Sequence, residues 1–342
     1  MGSRKTIKYF FVLIVLVLLT FLGNILLGSV AIPLADVLKS LSGLSLENES
    51  WEYIVQNYRL PKAFTAVIVG SGLGVSGLLM QTLFRNPLAG PFVLGISSGA
   101  SLGVAFLIMG AAILGGWGSG IFESNWSLIF ASSMGSFLVL LAVLVVSMRV
   151  RDTMAILIIG LMFASLTAAI VSVLSYFAPA DQLQQFIYWG FGSLGNLSWQ
   201  ELSALFIIFI IGIVLSVFSI KSLNSLLLGE NYGKSMGLNI NQSRLIIIIA
   251  TSLLAGSITA FAGPIAFIGL AIPHIARQLF NTATHNVLIP AVILIGAMVM
   301  LICDSIAQLP GSDYTLPINA ITSLFGAPIV IWLLVRKRNM IF

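Results

Sequence analysis

Residues 60–100 read LPKAFTAVIVGSGLGVSGLLMQTLFRNPLAGPFVLGISSGA. The part from Pro61 to Leu83 carries a single charge, on Lys62, and is about as long as the ~20 apolar residues that span a bilayer. It is also rich in glycine, and small residues allow transmembrane helices to approach one another closely. This stretch therefore predicts a membrane-spanning helix that packs tightly against its neighbours.

The same apolar character extends along the whole chain of 342 residues, of which 58% are apolar and 8% charged. Soluble domains carry about 25% charge, so a soluble globule is excluded, as are disordered, collagenous and disulfide-rich secreted classes. The single cysteine says nothing about the redox compartment. We expect one all-α transmembrane domain over residues 1–342, with no separate soluble catalytic domain.

Hydropathy predicts about ten spans. The first follows Arg4, Lys5 and Lys8, and its length favours a retained span over a cleaved signal peptide. The predicted spans lie at 7–29, 61–83, 93–114, 127–148, 153–177, 200–220, 244–262, 263–282, 286–308 and 316–336.

The basic residues indicate the orientation. With the amino terminus inside, all of the 16 basic residues except Lys39, Arg59 and Lys62 fall in inner segments. Basic residues concentrate in cytoplasmic loops, so both termini are predicted to be cytoplasmic. The inner set is Arg4, Lys5, Lys8, Arg85, Arg149, Arg151, Lys221, Lys234, Arg244, Arg277, Arg336, Lys337 and Arg338.

Two segments are too polar to span the membrane. The outer loop, residues 30–60, contains PLADVLK at 33–39, whose spacing allows one surface helix. The inner loop, residues 221–243, is the longest cytoplasmic loop. Gly229, Gly233 and Gly237 are expected to break it into short pieces.

Two glycine motifs imitate nucleotide sites. GLGVSG at 72–77 lies inside an apolar span, without the strand and acidic residue that a dinucleotide site requires, so we interpret it as helix packing. GENYGKS at 229–235 is one residue too short between its glycines for a phosphate-binding loop. Any ATP chemistry is therefore expected on another subunit.

Few residues in the spans are titratable. His274 and His285 have no acid or cysteine at metal-ligand spacing, so no metal site is predicted. Asp304 is the one acid inside an apolar run. It is either a proton relay or a residue near the outer end of span nine that is solvated or hydrogen-bonded to a neighbouring helix, and the second interpretation is favoured.

Several motifs occur in one order along the chain: RLPK at 59–62, QTLFRNPLA at 81–89, LGISSGA at 94–100, AGPIAFIGL at 262–270, IPHIAR at 272–277, LP at 316–317 and FGAP at 325–328. Together they resemble the FecCD-type permeases of iron-chelate and cobalamin ABC importers, over about residues 10–338. Gln308 and Gly90 depart from that pattern, where the family commonly has an arginine and an acid.

The resemblance implies a type II ABC importer permease of the bacterial cytoplasmic (inner) membrane. It also implies a second permease copy or paralogue, two ABC ATPase subunits and a substrate-binding protein, periplasmic or lipid-anchored. This chain would bind no cofactor itself, because ATP and Mg would belong to the ATPase. No nucleic acid is expected as a partner.

Site residues follow from the same resemblance. The inner loop would contact the ATPase, Arg59 and Lys62 would dock the binding protein, and spans five and ten would line the pathway. The segment 184–193 resembles a short helix near the outer gate. The predicted ATPase-coupling residues are Leu228, Gly229, Glu230, Gly233, Lys234, Gly237 and Leu238, and the predicted pathway residues are Ser165, Thr167, Ser172, Ser175, Thr322 and Ser323.

The function expected from these features is ATP-driven import of a ferric siderophore, with cobalamin and then haem as alternatives. The chain itself is not expected to be an enzyme, since its spans lack paired acids, metal ligands or a Ser/His pair. A different class, the ion-coupled secondary carrier, needs ionisable groups in the membrane. Asp304 is nearly all that the chain offers for that mechanism.

Overall fold

The structure is a computed structural model that describes residues 3–113, 124–147, 153–312 and 314–335. Within these ranges the regular elements are helices, and no strand occurs among them. Five basic residues that the charge count assigns to the inner side lie outside the described residues: Arg149, Arg151, Arg336, Lys337 and Arg338.

The helices are numbered in chain order. They are α1 Ser3–Leu26, α2 Leu34–Leu41, α3 Glu49–Ile54, α4 Leu60–Leu83, α5 Ile96–Ile113, α6 Asn125–Ser147, α7 Thr153–Phe177, α8 Ala180–Gly190, α9 Trp199–Phe218, α10 Ile220–Leu227, α11 Glu230–Ser235, α12 Ile240–Ala262, α13 Ile268–Phe280, α14 His285–Ala307 and α15 Ile318–Val335. A π-helical turn, Val55–Arg59, joins α3 to α4, and a 3-10 turn, Pro91–Leu94, precedes α5.

Most predicted spans coincide with a helix to within a few residues. Among the described residues, seven helices are long and apolar enough to cross a membrane, and α5 and α15 contain shorter apolar helices. The seven are Lys5–Leu26, Glu49–Leu83, Asn125–Val146, Met154–Phe177, Trp199–Phe218, Ile240–Ala262 and His285–Ala307. The surface helix predicted in the outer loop is α2.

The predicted eighth span, 263–282, is wrong in its extent. Residues 263–267 form a non-helical segment in which Gly263 and Phe267 have positive φ angles, and α13 occupies only Ile268–Phe280. A helix of this length rises about 20 Å, less than the ~30 Å hydrocarbon core. Ten full-length spans therefore remain a prediction.

Helix α4 lies at the centre of the bundle and packs against α14, α12, α13 and α9. A Cβ added to Gly70 would meet the backbone of Gly296 in α14, and one added to Gly77 would meet the backbone of Gly269 in α13. The packing interpretation of the motif at 72–77 is thereby confirmed. Helices α5 and α6 approach in the same way, Gly99 and Gly103 lying against Gly135.

The two ends of the bundle are named here by their loops. The inner end carries the inner loop, and there the rings of Tyr9 and Phe10 in α1 pack on Phe280 at the end of α13. The outer end carries the outer loop, and there Trp199 at the start of α9 donates a hydrogen bond to the Gln56 carbonyl. The candidate functional residues therefore divide into an inner group, an outer group and the helices between.

Candidate functional site

The inner loop folds into α10 and α11. Gly229 separates them with a φ of +107°, and Gly237 follows α11 with a φ of +81°. Both positions favour glycine, because a residue with a Cβ would be strained at these positive φ angles. The prediction of short pieces is confirmed, except that Gly233 lies buried inside α11 and breaks nothing.

The inner loop turns apolar side chains outward. Leu228, Tyr232 and Met236 are 62%, 51% and 63% exposed, respectively. Exposed apolar patches on a folded surface mark protein interfaces. Leu228 is one of the predicted coupling residues, whereas Tyr232 and Met236 are not. Among the rest of the predicted set, Lys234 and Gly237 are exposed and Gly229, Glu230 and Leu238 are half-buried.

Glu230 is tied to the transmembrane bundle. Its carboxylate forms a salt bridge with the guanidinium of Arg244 in α12, with Nη2 and Oε1 2.5 Å apart. The Arg244 side chain is the more buried of the two, at 12% exposure against 32%. Glu230 therefore anchors α11 to α12, whatever else its carboxylate contacts.

At the outer end, Arg59 is buried rather than presented to the surface. Its Nη1 donates to the carbonyl oxygens of Ile25 and Leu26, at 2.9 and 3.1 Å, and its Nη2 donates to the carbonyl of Val30. The Ile25 and Leu26 carbonyls are left without amide partners where α1 ends, and a cation there also interacts favourably with the helix dipole. Docking through Arg59 would require breaking these bonds.

Lys62 belongs to a buried polar cluster with Asp304. Its ammonium lies 3.2 Å from Asp304 Oδ1, and the Asp304 side chain is only 3% exposed. Asn24 in α1 and Gln308 donate to Asp304 Oδ2 at 2.8 and 2.7 Å. The favoured interpretation of Asp304, hydrogen bonding to a neighbouring helix, is confirmed. Gln308, which departs from the family pattern, contributes to this cluster.

Two cavities open beside these residues. One, of about 490 Å³, is lined by Lys62 and Asp304 together with Tyr188, Ser193 and Asn196. The other, of about 460 Å³, lies between Trp189, Asn125 and Phe261. Both are bordered by α8 and the turn that follows it, which is the segment that the resemblance relates to an outer gate.

The predicted pathway hydroxyls bond mostly within their own helices. In α7, Ser165, Thr167 and Ser172 donate to the carbonyls of Leu161, Ala164 and Ala168. In α15, Thr322 and Ser323 both lie within hydrogen-bonding distance of the Asn319 carbonyl. Ser175 alone contacts another helix, donating to Met109 Sδ at 3.8 Å. Ser165 and Ser172 are exposed, whereas Thr167 and Thr322 are buried.

Helices α7 and α15 nevertheless present broad exposed faces. In α7, Met162, Leu166 and Val173 are 60%, 56% and 58% exposed. In α15, Leu324 and Ile331 are 68% and 59% exposed. The structure thus brings the predicted pathway helices to the edge of the bundle, where lipid or another chain must cover them.

Four contact residues are absent from the sequence predictions. Asn224, Thr82 and His285 form a hydrogen-bonded group beneath the inner loop, and Asn24 supports Asp304. Asn24 carried a usable signal, because it is a lone amide at the end of a long apolar run. Thr82 and His285 are polar residues at helix ends and Asn224 lies within α10, so only their contacts distinguish them.

These features define a multi-span, all-helical membrane protein. The chain belongs to the FecCD transport family, whose model matches residues 14–336. It is accordingly a multi-pass protein of the bacterial inner membrane. Permeases of this class work with ATPases and substrate-binding proteins.

Similar proteins match it from end to end. The vitamin B12 import system permease protein BtuC of Klebsiella pneumoniae is 34% identical over 338 residues, covering 98% of this chain and 96% of the relative. BtuC of Salmonella typhi is also 34% identical over 338 residues, covering 98% of each chain.

Solved structures agree with this assignment. An inward-facing conformation described as a metal-chelate type ABC transporter has a TM-score of 0.82 and 28% identity, over 96% of this chain and 99% of its own. PsaBC from Streptococcus pneumoniae, in complex with Fab, has a TM-score of 0.54 over 88% of this chain and 95% of its own. At 16% identity that second likeness shows the fold alone.

Proposed function

We propose that this chain is the permease subunit of an ATP-driven importer that carries a bulky metal chelate into the cell. The observation that carries the proposal is the inner loop: two short helices, fixed to α12 by Glu230 and Arg244, expose Leu228, Tyr232 and Met236. Such a surface suits a mechanical contact with an ATPase. ATP and Mg would be bound by that partner and not by this chain.

The substrate class is supported by the names of similar proteins. The BtuC relatives are named for vitamin B12, which supports cobalamin as the chelate. The ferric siderophore favoured by the sequence resemblance remains a second candidate, since the neighbouring structure is described only as metal-chelate type. Haem is the third candidate.

The exposed faces of α7 and α15 suit a pathway formed by two permease copies, identical or related. Small hydroxyl residues on α7, such as Ser165 and Ser172, give a weakly polar lining that a bulky solute can leave again. Lys62 is the better-placed docking residue for a binding protein. Its side chain is 22% exposed beside the 490 Å³ cavity, whereas Arg59 is 7% exposed.

Reconstitution tests the proposal. The chain, its ATPase and its binding protein, placed together in vesicles, should accumulate labelled cyanocobalamin or a ferric siderophore only when ATP is present on the ATPase side. The chain reconstituted alone should accumulate neither solute. Uptake by the chain alone that is driven by a proton gradient would refute the proposal and favour a secondary carrier.

A charge-removal series tests the coupling surface. The double variant Glu230→Gln/Lys234→Gln should hydrolyse ATP with little uptake while remaining folded in the membrane. Arg244→Gln is the matched control, because it breaks the internal salt bridge but leaves the charges on the loop surface. An effect of Arg244→Gln equal to that of the double variant would mean that Glu230 acts through α12; unchanged uptake in the double variant would count against the coupling assignment.

A further inference from the structure

His285 connects the inner loop to the two helices at the centre of the bundle. It is the first residue of α14 and is fully buried. One side of its ring faces Asn224 in α10, and the other faces Thr82 in the last turn of α4. No function assigned so far uses any of these three residues.

The backbone fixes the orientation of the Asn224 amide. The His285 backbone N–H donates to Asn224 Oδ1 at 2.9 Å, so the oxygen of the amide faces α14. The amide nitrogen, Nδ2, then donates to Asn286 Oδ1 at 3.1 Å. Asn224 thus contacts α14 through both ends of its side chain.

This orientation determines the tautomer of His285. Nδ1 lies 2.9 Å from the same Asn224 oxygen, which can only accept, so Nδ1 carries the proton. In a neutral ring Nε2 then accepts, and the Thr82 hydroxyl donates to it across 2.8 Å. The hydroxyl also lies 2.9 Å from the Leu78 carbonyl of its own helix, which has a second lone pair, so this oxygen and Nε2 compete for the one hydroxyl proton.

These polar contacts form one chain that runs from α10 through α14 to α4. Directional hydrogen bonds hold the groups that they join in a fixed geometry. We propose that His285, with Asn224 and Thr82, is a positioning residue that transmits movement of the inner loop to α4 and α14. The inference rests on the coupling role proposed above.

The helix that receives this contact is suited to the role. Helix α4 packs against α9, α12, α13 and α14, and 89% of an apolar 18-residue stretch in its membrane span is buried. A displacement of Thr82 is therefore imposed on most of the bundle.

The test uses the complete reconstituted importer with its ATPase and binding protein. The probe is cyanocobalamin or a ferric siderophore, whichever the wild type accumulates. Thr82→Val removes the hydroxyl at nearly constant shape, Thr82→Ser keeps it, and Ser225→Ala removes a hydroxyl on α10 that bonds only to the Lys221 carbonyl of its own helix. The measured quantity is solute accumulated per ATP hydrolysed, at equal amounts of assembled complex.

Thr82→Val should lower that ratio at least about fivefold, the lower end of typical coupling between sites. Thr82→Ser and Ser225→Ala should leave it unchanged. An unchanged ratio in Thr82→Val, or a proportional loss of hydrolysis and uptake, would overturn the inference. If the Thr82→Val importer does not assemble, Asn224→Ala replaces it, because Asn224 is only half-buried. The same fall in solute accumulated per ATP hydrolysed is then expected, and an unchanged ratio would overturn the inference. A wild type without ATP-driven uptake would instead refute the proposed function.

Discussion

Helices α4 and α7 have similar lengths and are both strongly apolar, yet they occupy opposite environments. In an apolar 18-residue stretch of the span that contains α4, 89% of the residues are buried, against 17% in the corresponding stretch of α7. The more hydrophobic of the two is α7. Hydropathy therefore identifies both as spans but does not tell which one is central.

Side-chain size separates the two helices. Lipid chains are as apolar as leucine, so helices associate in a membrane by close packing and hydrogen bonds. Helix α4 offers Gly70 and Gly77 where other backbones touch it. Helix α7 offers Met162, Leu166 and Val173, which extend away from the bundle. The small-residue face is the core, and the large-residue face is left for lipid or a second permease.

The largest effect is expected from Gly77→Ala. The added Cβ would collide with the Gly269 backbone, which cannot move like a flexible side chain, so the variant should lose at least about 3 kcal/mol of stability. Thermal unfolding in detergent measures the loss. The control is Gly23→Ala in α1, where nothing lies within 4 Å and stability should hold or rise. Equal effects of the two substitutions would contradict the packing explanation.

A smaller difference in stability is expected between leucine-to-alanine substitutions in the two helices. Leu79 in α4 is fully buried, so Leu79→Ala should cost about 2–5 kcal/mol. Leu166 in α7 is 56% exposed, so Leu166→Ala should change the stability of the isolated permease by less than about 0.5 kcal/mol. Denaturation of the purified chain compares them. If Leu166→Ala destabilises only the assembled transporter, the face of α7 is covered by a partner chain.

Charge also fixes α4 in place. Asp304→Asn leaves Lys62 without its counter-charge and should cost about 1–3 kcal/mol. The matched control is Asp36→Asn, whose exposed pair with Lys39 should be worth less than about 1 kcal/mol. Thermal unfolding is again the measurement. ATP-driven uptake should persist in Asp304→Asn, and its complete loss in a folded protein would revive a proton-relay role.

The smallest expected difference in stability is between serine-to-alanine substitutions in the two helices. Ser71 in α4 donates to the Ile293 carbonyl of α14 at 3.0 Å, so Ser71→Ala should cost about 0.6 kcal/mol, the average for such bonds in membranes. Ser172 in α7 donates only to its own helix, at Ala168, so Ser172→Ala should leave stability unchanged. A drop in uptake by Ser172→Ala at unchanged stability would favour a place in the pathway.

Much of the fold follows from apolar run lengths. The predicted spans at 153–177 and 286–308 coincide closely with α7 and α14, because about 20 apolar residues form a helix wherever they meet lipid. The eighth span is the exception. Residues 263–273 form an unbroken apolar run, but Gly263 and Phe267 turn the backbone out of the helical region, and α13 is short. Composition does not reveal such a turn.

The site residues divide in the same way. The charge pattern predicts that Arg59 and Lys62 both face outward, but it could not tell that Arg59 is buried against the end of α1. The burial of Arg59 depends on the path that the chain takes after the end of α1. Gly28 is part of the reason, since a Cβ there would lie 2.8 Å from the Arg59 guanidinium. The contact of Thr82 with His285 joins residues 203 positions apart, and no local pattern reports it.

The sequence by itself determined that this is a helical membrane protein, where most of its helices lie, and which motifs it shares with its family. These properties depend mainly on whether each segment prefers lipid or water. The tertiary structure alone decided which apolar helix is central, which charges are paired, and how the inner loop is joined to α4. These features depend on the shapes of side chains, and on the directions of their hydrogen bonds, between residues far apart in the chain. Hydropathy measures only the preference of a side chain for lipid, so it does not predict such contacts.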